Sequence, residues 1–512
     1  MLTCALAGAW AQDSSTPPAE APAQSGQPDQ QEPAPAYGQQ GTAGINNDNP
    51  PLSGLDLPSL EPHAAPLSYL QPGATFNESG STNAGNNLGG GTNFTSVTRG
   101  LGSVTLRRLW SNYDLALDYM GGAGYYSLQG QGWKLLQQMD IDQRISWKRG
   151  NLSLRDSFSY LPEGNFGASY GALGSAGISS LGETSFSSFF GGAALGTFGL
   201  APRIMNVSVV DISEMLSPKS AVTAAGGYAL THFYGSDTTT GTSFIGTSQV
   251  SAQAGYNRIL TPHTQMALVY GYQGFDFSVE GAAFHSHVIQ GMYGHRISGR
   301  MDLVLGAGPQ ITETNTQTAV CNNPALTPSN CIPFGATLVA APSQQTLLGV
   351  AAQGRLRYQF TRTSLDLSFQ RFETAGSGLF AGAETNIIRL SASRPISRVW
   401  NGFADIGYSI NDRLQPLTQE QLIQCSLQQP GVTPVNPVIC PANNAMSYNS
   451  GFAGAGVRRR FGHDFNAFLS YQFNELAFGQ SYCTPGTRCD RISNTQTVTF
   501  GVDWTPRPIR LD

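Results

Sequence analysis

A transmembrane antiparallel β-barrel of about 18 strands, or about 16 if the first hairpin is set aside, is the fold this all-β sequence predicts, on three observations. Only 12% of its 512 residues are Asp, Glu, Lys or Arg, about half the share usual in a soluble protein, so much of the surface does not face water. Gly, Ser, Thr, Asn and Gln nevertheless interrupt every apolar patch, and no stretch approaches the roughly 18 apolar residues of a spanning helix. From Pro66 to Trp504 apolar and polar residues alternate with a period of two, as in strands with two unlike faces.

The chain opens with MLTCALAGAWAQDSS. Ala9-Trp10-Ala11 forms an A-x-A cleavage site after a short apolar stretch, so residues 1–11 are read as the remnant of a secretory signal that lacks its basic start. Cys4 leaves with it. Residues 12–66 are rich in Pro, Gln, Ala and Gly without apolar periodicity, the composition of a disordered tail. Residues 67–504 form the barrel and residues 505–512 a C-terminal extension.

Three strands show the alternation plainly. In QTLLGVAAQGRLRYQF, Leu348, Val350, Ala352, Leu356, Tyr358 and Phe360 share one face, with Gln353, Arg355, Arg357 and Gln359 on the other. In HTQMALVYGYQ, Met266, Leu268, Tyr270 and Tyr272 alternate with small or polar residues. The last strand sets Val498, Phe500, Val502 and Trp504 against Thr497, Thr499, Gly501 and Asp503.

A soluble sandwich could carry that pattern, and the connections decide against it. Short turns occur at WSNYD, KRGN, SPKS, LTPH, ISGR, TRTS, PISR and FGHD, and longer connections separate them, the longest from about Leu161 to Pro202. Short turns on one side and long loops on the other belong to a membrane barrel; a Greek key does not keep that parity. Two strands per short turn, a first strand near GATFNES and a last at Val498 give the count, with both termini on the short-turn side. Trp110, Tyr113, Trp147, Phe360, Trp400, Phe461, Phe465 and Trp504 sit beside the short turns, where an interfacial aromatic girdle belongs.

Six cysteines form three local pairs, Cys321 with Cys331, Cys425 with Cys440 and Cys483 with Cys489, all in long loops. The gaps and the lack of neighbouring histidines do not suit zinc, so disulfides formed in an oxidising compartment are the expectation. The smallest ring, CTPGTRC, is then worth roughly 2 kcal/mol, enough to order a loop.

On these features the chain from Pro66 to Trp504 resembles the Gram-negative outer-membrane β-barrel proteins of porin type. The resemblance implies an outer-membrane location with the tail in the periplasm, passive passage of small polar solutes, contact with membrane lipid and with the barrel-assembly machinery, and often a homotrimer. It implies that Trp504 serves as the terminal aromatic that the machinery recognises, although TPRPIRLD follows it. It also implies that the third long loop folds inward, where Pro162, Glu163 and Phe166 are similar to an acidic Pro-Glu-Phe-Gly element that narrows the lumen. An exposed loop is the alternative.

Alternation places Arg107, Asp114, Asp118, Asp140, Asp142, Arg144 and Arg155 inward early in the chain. Arg355, Arg357, Arg389, Arg458 and Arg460 follow later, interspersed with Asp302, Asp366, Asp405 and Asp503. Two arrangements remain open: a transverse field between an acidic and a basic wall, which would orient solutes, or Asp and Arg paired locally inside the barrel. Asp156 falls on the apolar face with Leu152, Leu154, Phe158 and Tyr160, so either a bulge shifts the register or it lies at the outer rim.

Other chemistry finds little footing. There is no G-x-S-x-G elbow and no H-E-x-x-H motif, so neither catalysis nor a cofactor is expected. His285 and His287 share a face, but two imidazoles alone are a thin metal site. A net charge of -5 offers no field for nucleic acid, and a tail this short is not expected to make the folded plug of a larger gated transporter. The expected function is a channel; the rival is a surface barrel with a blocked lumen whose stapled loops bind a partner.

Overall fold

The computed structural model describes residues 50–55, 68–82, 94–127, 132–161, 203–234, 245–278, 282–321, 338–376, 381–414, 447–478 and 491–511. They form one sheet of β1 (Tyr69–Thr82), β2 (Phe94–Leu109), β3 (Tyr113–Tyr126), β4 (Gly132–Trp147), β5 (Gly150–Leu161), β6 (Arg203–Ser217), β7 (Ser220–Phe233), β8 (Thr247–Thr261), β9 (Thr264–Phe277) and β10 (Ala283–Ser298). The circuit continues through β11 (Met301–Cys321), β12 (Leu338–Gln359), β13 (Ser364–Thr374), β14 (Ala383–Pro395), β15 (Trp400–Arg413), β16 (Ser447–Phe461), β17 (Phe465–Phe478) and β18 (Arg491–Trp504). Each strand pairs antiparallel with the next, and β18 returns to β1 with Ala74 opposite Trp504. The result is a closed 18-strand barrel. Closure pairs every edge, which is what allows a sheet to cross a membrane.

All eight short turns lie where the sequence places them, at the end of the barrel where β1 begins and β18 finishes. Register shifts accompany three of them, at Met215/Ser217, Ile259/Thr261 and Arg296/Ser298, and β4, β5 and β6 pair without interruption. The extension after Trp504 adds β19 (Ile509–Arg510), which pairs with Tyr69 and Leu70 and continues the seam. Gln71 Nε2 donates to the Pro506 carbonyl at 2.9 Å there.

The alternation resolves as apolar outside and polar inside. Leu348 is 81% exposed and Val350, Leu268, Met266, Phe500 and Val498 stand open on the outer wall, while Gln249, Gln273, Asn257, Thr312 and Ser286 are buried within. Trp110, Trp147, Phe360, Trp400, Phe461, Phe465 and Trp504 are exposed around the short-turn rim. Arg108 lies over Trp110 at 5.1 Å and Arg459 over Phe461 at 4.6 Å, so cations at headgroup level complete that girdle. The long-loop rim has its own ring: Tyr125 against Trp133, Tyr160 and His232 against Tyr234, and Tyr270 and Tyr272 against His287 and His285. His285 and His287 therefore face outward, each ring nitrogen hydrogen-bonded to a tyrosine hydroxyl, at 3.0 and 2.9 Å. An apolar band between two aromatic rims, closed around a polar interior, is a membrane-spanning barrel.

Asp156 corrects the expectation of a bulge or a rim position. Continuous register puts it opposite Ile141 and Ser208, in mid-strand on the outer face. Asn206 Nδ2 donates to it at 3.2 Å and Ser208 Oγ at 2.5 Å, and these donors keep the carboxylate from being bare. A second outward carboxylate, Glu78, accepts from Thr98 in the same way. Asp156→Asn keeps an acceptor for Ser208 and removes the charge, so it should raise stability by about 1 kcal/mol, less than the midplane cost of a basic residue. Urea unfolding in lipid vesicles reads this directly, and a loss of stability would contradict it.

Candidate functional site

Among the described residues the lumen gathers the polar chemistry, and ion pairs dominate its wall. Arg107 bonds Asp114 at 2.9 Å, Arg355 Nε bonds Asp366 at 2.8 Å, Arg357 bonds Asp302, Arg389 bonds Asp405 at 2.6 Å, and Arg458 reaches across β17 to Asp503 at 3.2 Å. Arg155 lies 3.5 Å from Asp211. Register sets one pair directly, Asp302 opposite Arg357, and puts the partners of Arg107, Arg155, Arg355 and Arg389 one diagonal step away on the neighbouring strand. The basic wall of the transverse-field arrangement is thus neutralised where it stands, and local pairing is the arrangement present. On β3 and β4, Asp118 lies opposite Asp140, with Thr105 donating to Asp118 at 2.6 Å and Gln138 to Asp140 at 3.2 Å. Asp142 accepts from Ser153 at 3.4 Å, Arg144 stands opposite Asp114, and Arg460 is exposed at the short-turn mouth.

These pairs predict a specific selectivity result. Arg357→Ser alone leaves Asp302 without its cation and should shift the reversal potential in a salt gradient toward cations. Arg357→Ser with Asp302→Asn removes both charges and should restore the wild-type value. Equal shifts in both proteins would contradict the pairing.

Among the described residues two features narrow the lumen; the third long loop is not among those residues. Pro162, Glu163 and Phe166, with the three cysteine pairs apart from the backbone of Cys321 at the end of β11, fall outside the described residues. The first feature comes from the segment assigned to the tail: residues 50–55 lie against the inner wall. Leu52 is 3% exposed and packs with Ala267, Val269, Met292 and Val304; Leu55 is 2% exposed and packs with Val209, Val207 and Ala225. Leu52 N donates to Asn257 Oδ1 at 3.0 Å, and the Ser53 carbonyl accepts from Thr223 Oγ1 at 2.9 Å and Gln253 Nε2 at 2.8 Å. A turn in which Gly54 N bonds the Pro51 carbonyl at 3.0 Å points both leucines at the wall. Gly294 makes room, since a Cβ there would come within 2.8 Å of Leu52. This latch lies in the short-turn half of the barrel.

The second feature is the end of β13 together with Ala375 and Ala381, which flank the connection to β14. Pairing of β12 with β13 ends at Ala352 opposite Arg371, and beyond it Phe372, Glu373, Thr374 and Ala375 are all buried. Ala375 and Ala381 pack on Phe275, Phe277 and Phe284, whose rings stack at 4.4 Å for Phe275 and Phe284. Thr312 donates to Glu373, and Arg371 closes the opened edge by donating to the Val350 carbonyl at 3.1 Å and pairing with Glu384 at 2.6 Å. This strap crosses from its own strands to the wall at β9 and β10, in the long-loop half.

No family model matches the chain, and no curated protein matches it. Among solved structures it is similar to the outer membrane protein OpdK from Pseudomonas aeruginosa, at 9% identity over 85% of this chain and 98% of that one, with a TM-score of 0.38. OccK2 (OpdF) of the same organism gives 8%, 85% and 98%, with a TM-score of 0.38. The ferric-catecholate import receptor Fiu from E. coli K12 gives 7%, 87% and 82%, with a TM-score of 0.41. Likeness at that level transfers no residue role to this chain.

Between the latch and the strap lies a cavity of about 260 Å³, lined by Leu52, Gly54 and Leu55 at one end, Phe372 and Glu373 at the other, and the walls of β8 to β14 between. Sequence reasoning missed both boundaries and therefore the cavity.

Proposed function

We propose that the chain is an outer-membrane channel for passive diffusion of small hydrophilic solutes, and not a catalyst, with its short turns and N-terminal tail on the periplasmic side. The observation that carries this reading is the polar, cavity-bearing lumen inside a closed barrel whose outer wall is apolar. A barrel of this strand number is wide enough for water and solutes, and local pairing of Arg107, Arg355, Arg357, Arg389 and Arg458 leaves no basic wall to draw anions. The latch and the strap favour the second reading, a surface barrel with a blocked lumen.

Single-channel recording of the refolded protein in a planar bilayer separates the two. Discrete current steps that grow with salt concentration support the channel. A folded barrel that gives no steps, both as wild type and with the latch removed, moves the function to the external face.

A further inference from the structure

The strap holds a carboxyl group that the channel reading does not use. Glu373 is 5% exposed; one carboxyl oxygen accepts from Thr312, Ser286 and Gln310 stand within reach of the carboxyl group, and Oε2 closes no hydrogen bond among the described residues. An orphaned buried carboxyl oxygen is costly, and this one lines the cavity.

The rest of the lining says what would satisfy it. Gln273, Gln290, Gln310, Gln353 and Gln370 come from five successive strands. Each primary amide both donates and accepts, so the row matches groups that do the same, above all hydroxyls. Gln353 Nε2 is bonded to Gln290 Oε1 at 3.4 Å and Gln310 Nε2 to Ser286 at 2.9 Å, which fixes three of the amides in place. The charged lining is already balanced, Arg355 by Asp366 and Arg389 by Asp405. With both arginines paired, the lining offers an anion no uncommitted cation. Phe372, Leu52 and Leu55 supply the apolar surface on which the C–H faces of a ring can rest. The volume is near the lower end for small-molecule pockets, about 300 Å³.

We propose that this cavity is a binding site for a neutral polyhydroxylated solute of mono- or disaccharide size, held by the glutamine row and by a hydroxyl donated to Glu373 Oε2. The inference rests on the channel reading for its biological sense, though not for its test.

The full chain, refolded in a detergent without a sugar headgroup, is titrated calorimetrically with glucose, sucrose, glucuronate and glucosamine, and the same preparation is recorded in bilayers. Glucose and sucrose should bind, with glucuronate at least tenfold weaker. Glu373→Gln, which turns an acceptor into a donor, should weaken sucrose about tenfold. Gln370→Ala should weaken it as well and keeps the test alive if the first variant does not fold, whereas Asp156→Asn on the outer wall should leave it unchanged. Absence of binding by either sugar overturns the proposal, as does glucuronate binding as well as sucrose or glucosamine binding tightest of the four. Conductance without sugar binding removes the site and leaves the channel; sugar binding without conductance does the reverse.

Discussion

Replacing Leu52 and Leu55 together by alanine should turn a channel that flickers between two current levels into one that stays at the upper level. Burial of the two leucines stabilises the docked latch by about 1.5–3 kcal/mol each, and the bonds to Asn257, Thr223 and Gln253 add about 1 kcal/mol each. Ordering the six residues Pro50–Leu55 costs about 1–2 kcal/mol apiece, somewhat less at the two prolines, whose φ is already fixed. Gain and cost nearly cancel, so the wild-type latch exchanges between docked and free. Each Leu→Ala removes at least about 2 kcal/mol, and at 1.4 kcal/mol per factor of ten the pair shifts the balance about a thousandfold toward the free state. Single-channel records of both proteins at one voltage decide it. Identical level occupancies in wild type and variant would show that the latch does not obstruct ion flow.

Strand order, the eight short turns and the facing of almost every residue were legible in the sequence because they are local. Alternation needs only neighbours, and a turn such as FGHD announces itself within four residues. The latch was not legible, since PLSGL offers two apolar residues among Pro, Ser and Gly, and its partners Asn257 and Thr223 lie 205 and 170 residues away along the chain. The strap was hidden for another reason: period-two counting puts Phe372 and Glu373 on opposite faces, and both turn inward only because β12 has outrun β13 at Ala352. The lumen charges were half legible. Alternation placed each one inward, but register alone sets Arg357 beside both Asp302 and Asp366. The choice of Asp302, leaving Asp366 to Arg355, follows from side-chain reach. Asp156 was assigned to the right face and given the wrong remedy, because its donors Asn206 and Ser208 lie on β6, beyond a loop of some forty residues.

At the other end of the cavity, Phe284→Ala should release the strap and produce the larger structural change of the two. Phe284 is fully buried between Phe275, Phe277 and the strap's Ala375 and Ala381, and deleting such a ring removes about 3–5 kcal/mol of packing. Beyond Ala352 the strap has no strand partner on its β12 side, and among the described residues the Thr312–Glu373 bond, the Arg371 contacts and the bond from Leu414 N to the Gly382 carbonyl at 3.3 Å hold it besides that packing. Conductance should rise and sucrose affinity should vanish, since Glu373 moves with the strap, while the seam and the remaining strands keep the folded, heat-modifiable band on an unboiled gel. Gly382→Ala gives the same outcome by another route. Gly382 has φ of +93°, and a Cβ there would stand 2.8 Å from the Phe284 ring, so a side chain is both strained and obstructed. Latch and strap share no contact residues, so combining Phe284→Ala with the two latch substitutions should give additive changes in stability. A Phe284→Ala channel with wild-type conductance and wild-type sucrose affinity would mean that the strap stays docked without its aromatic anchor.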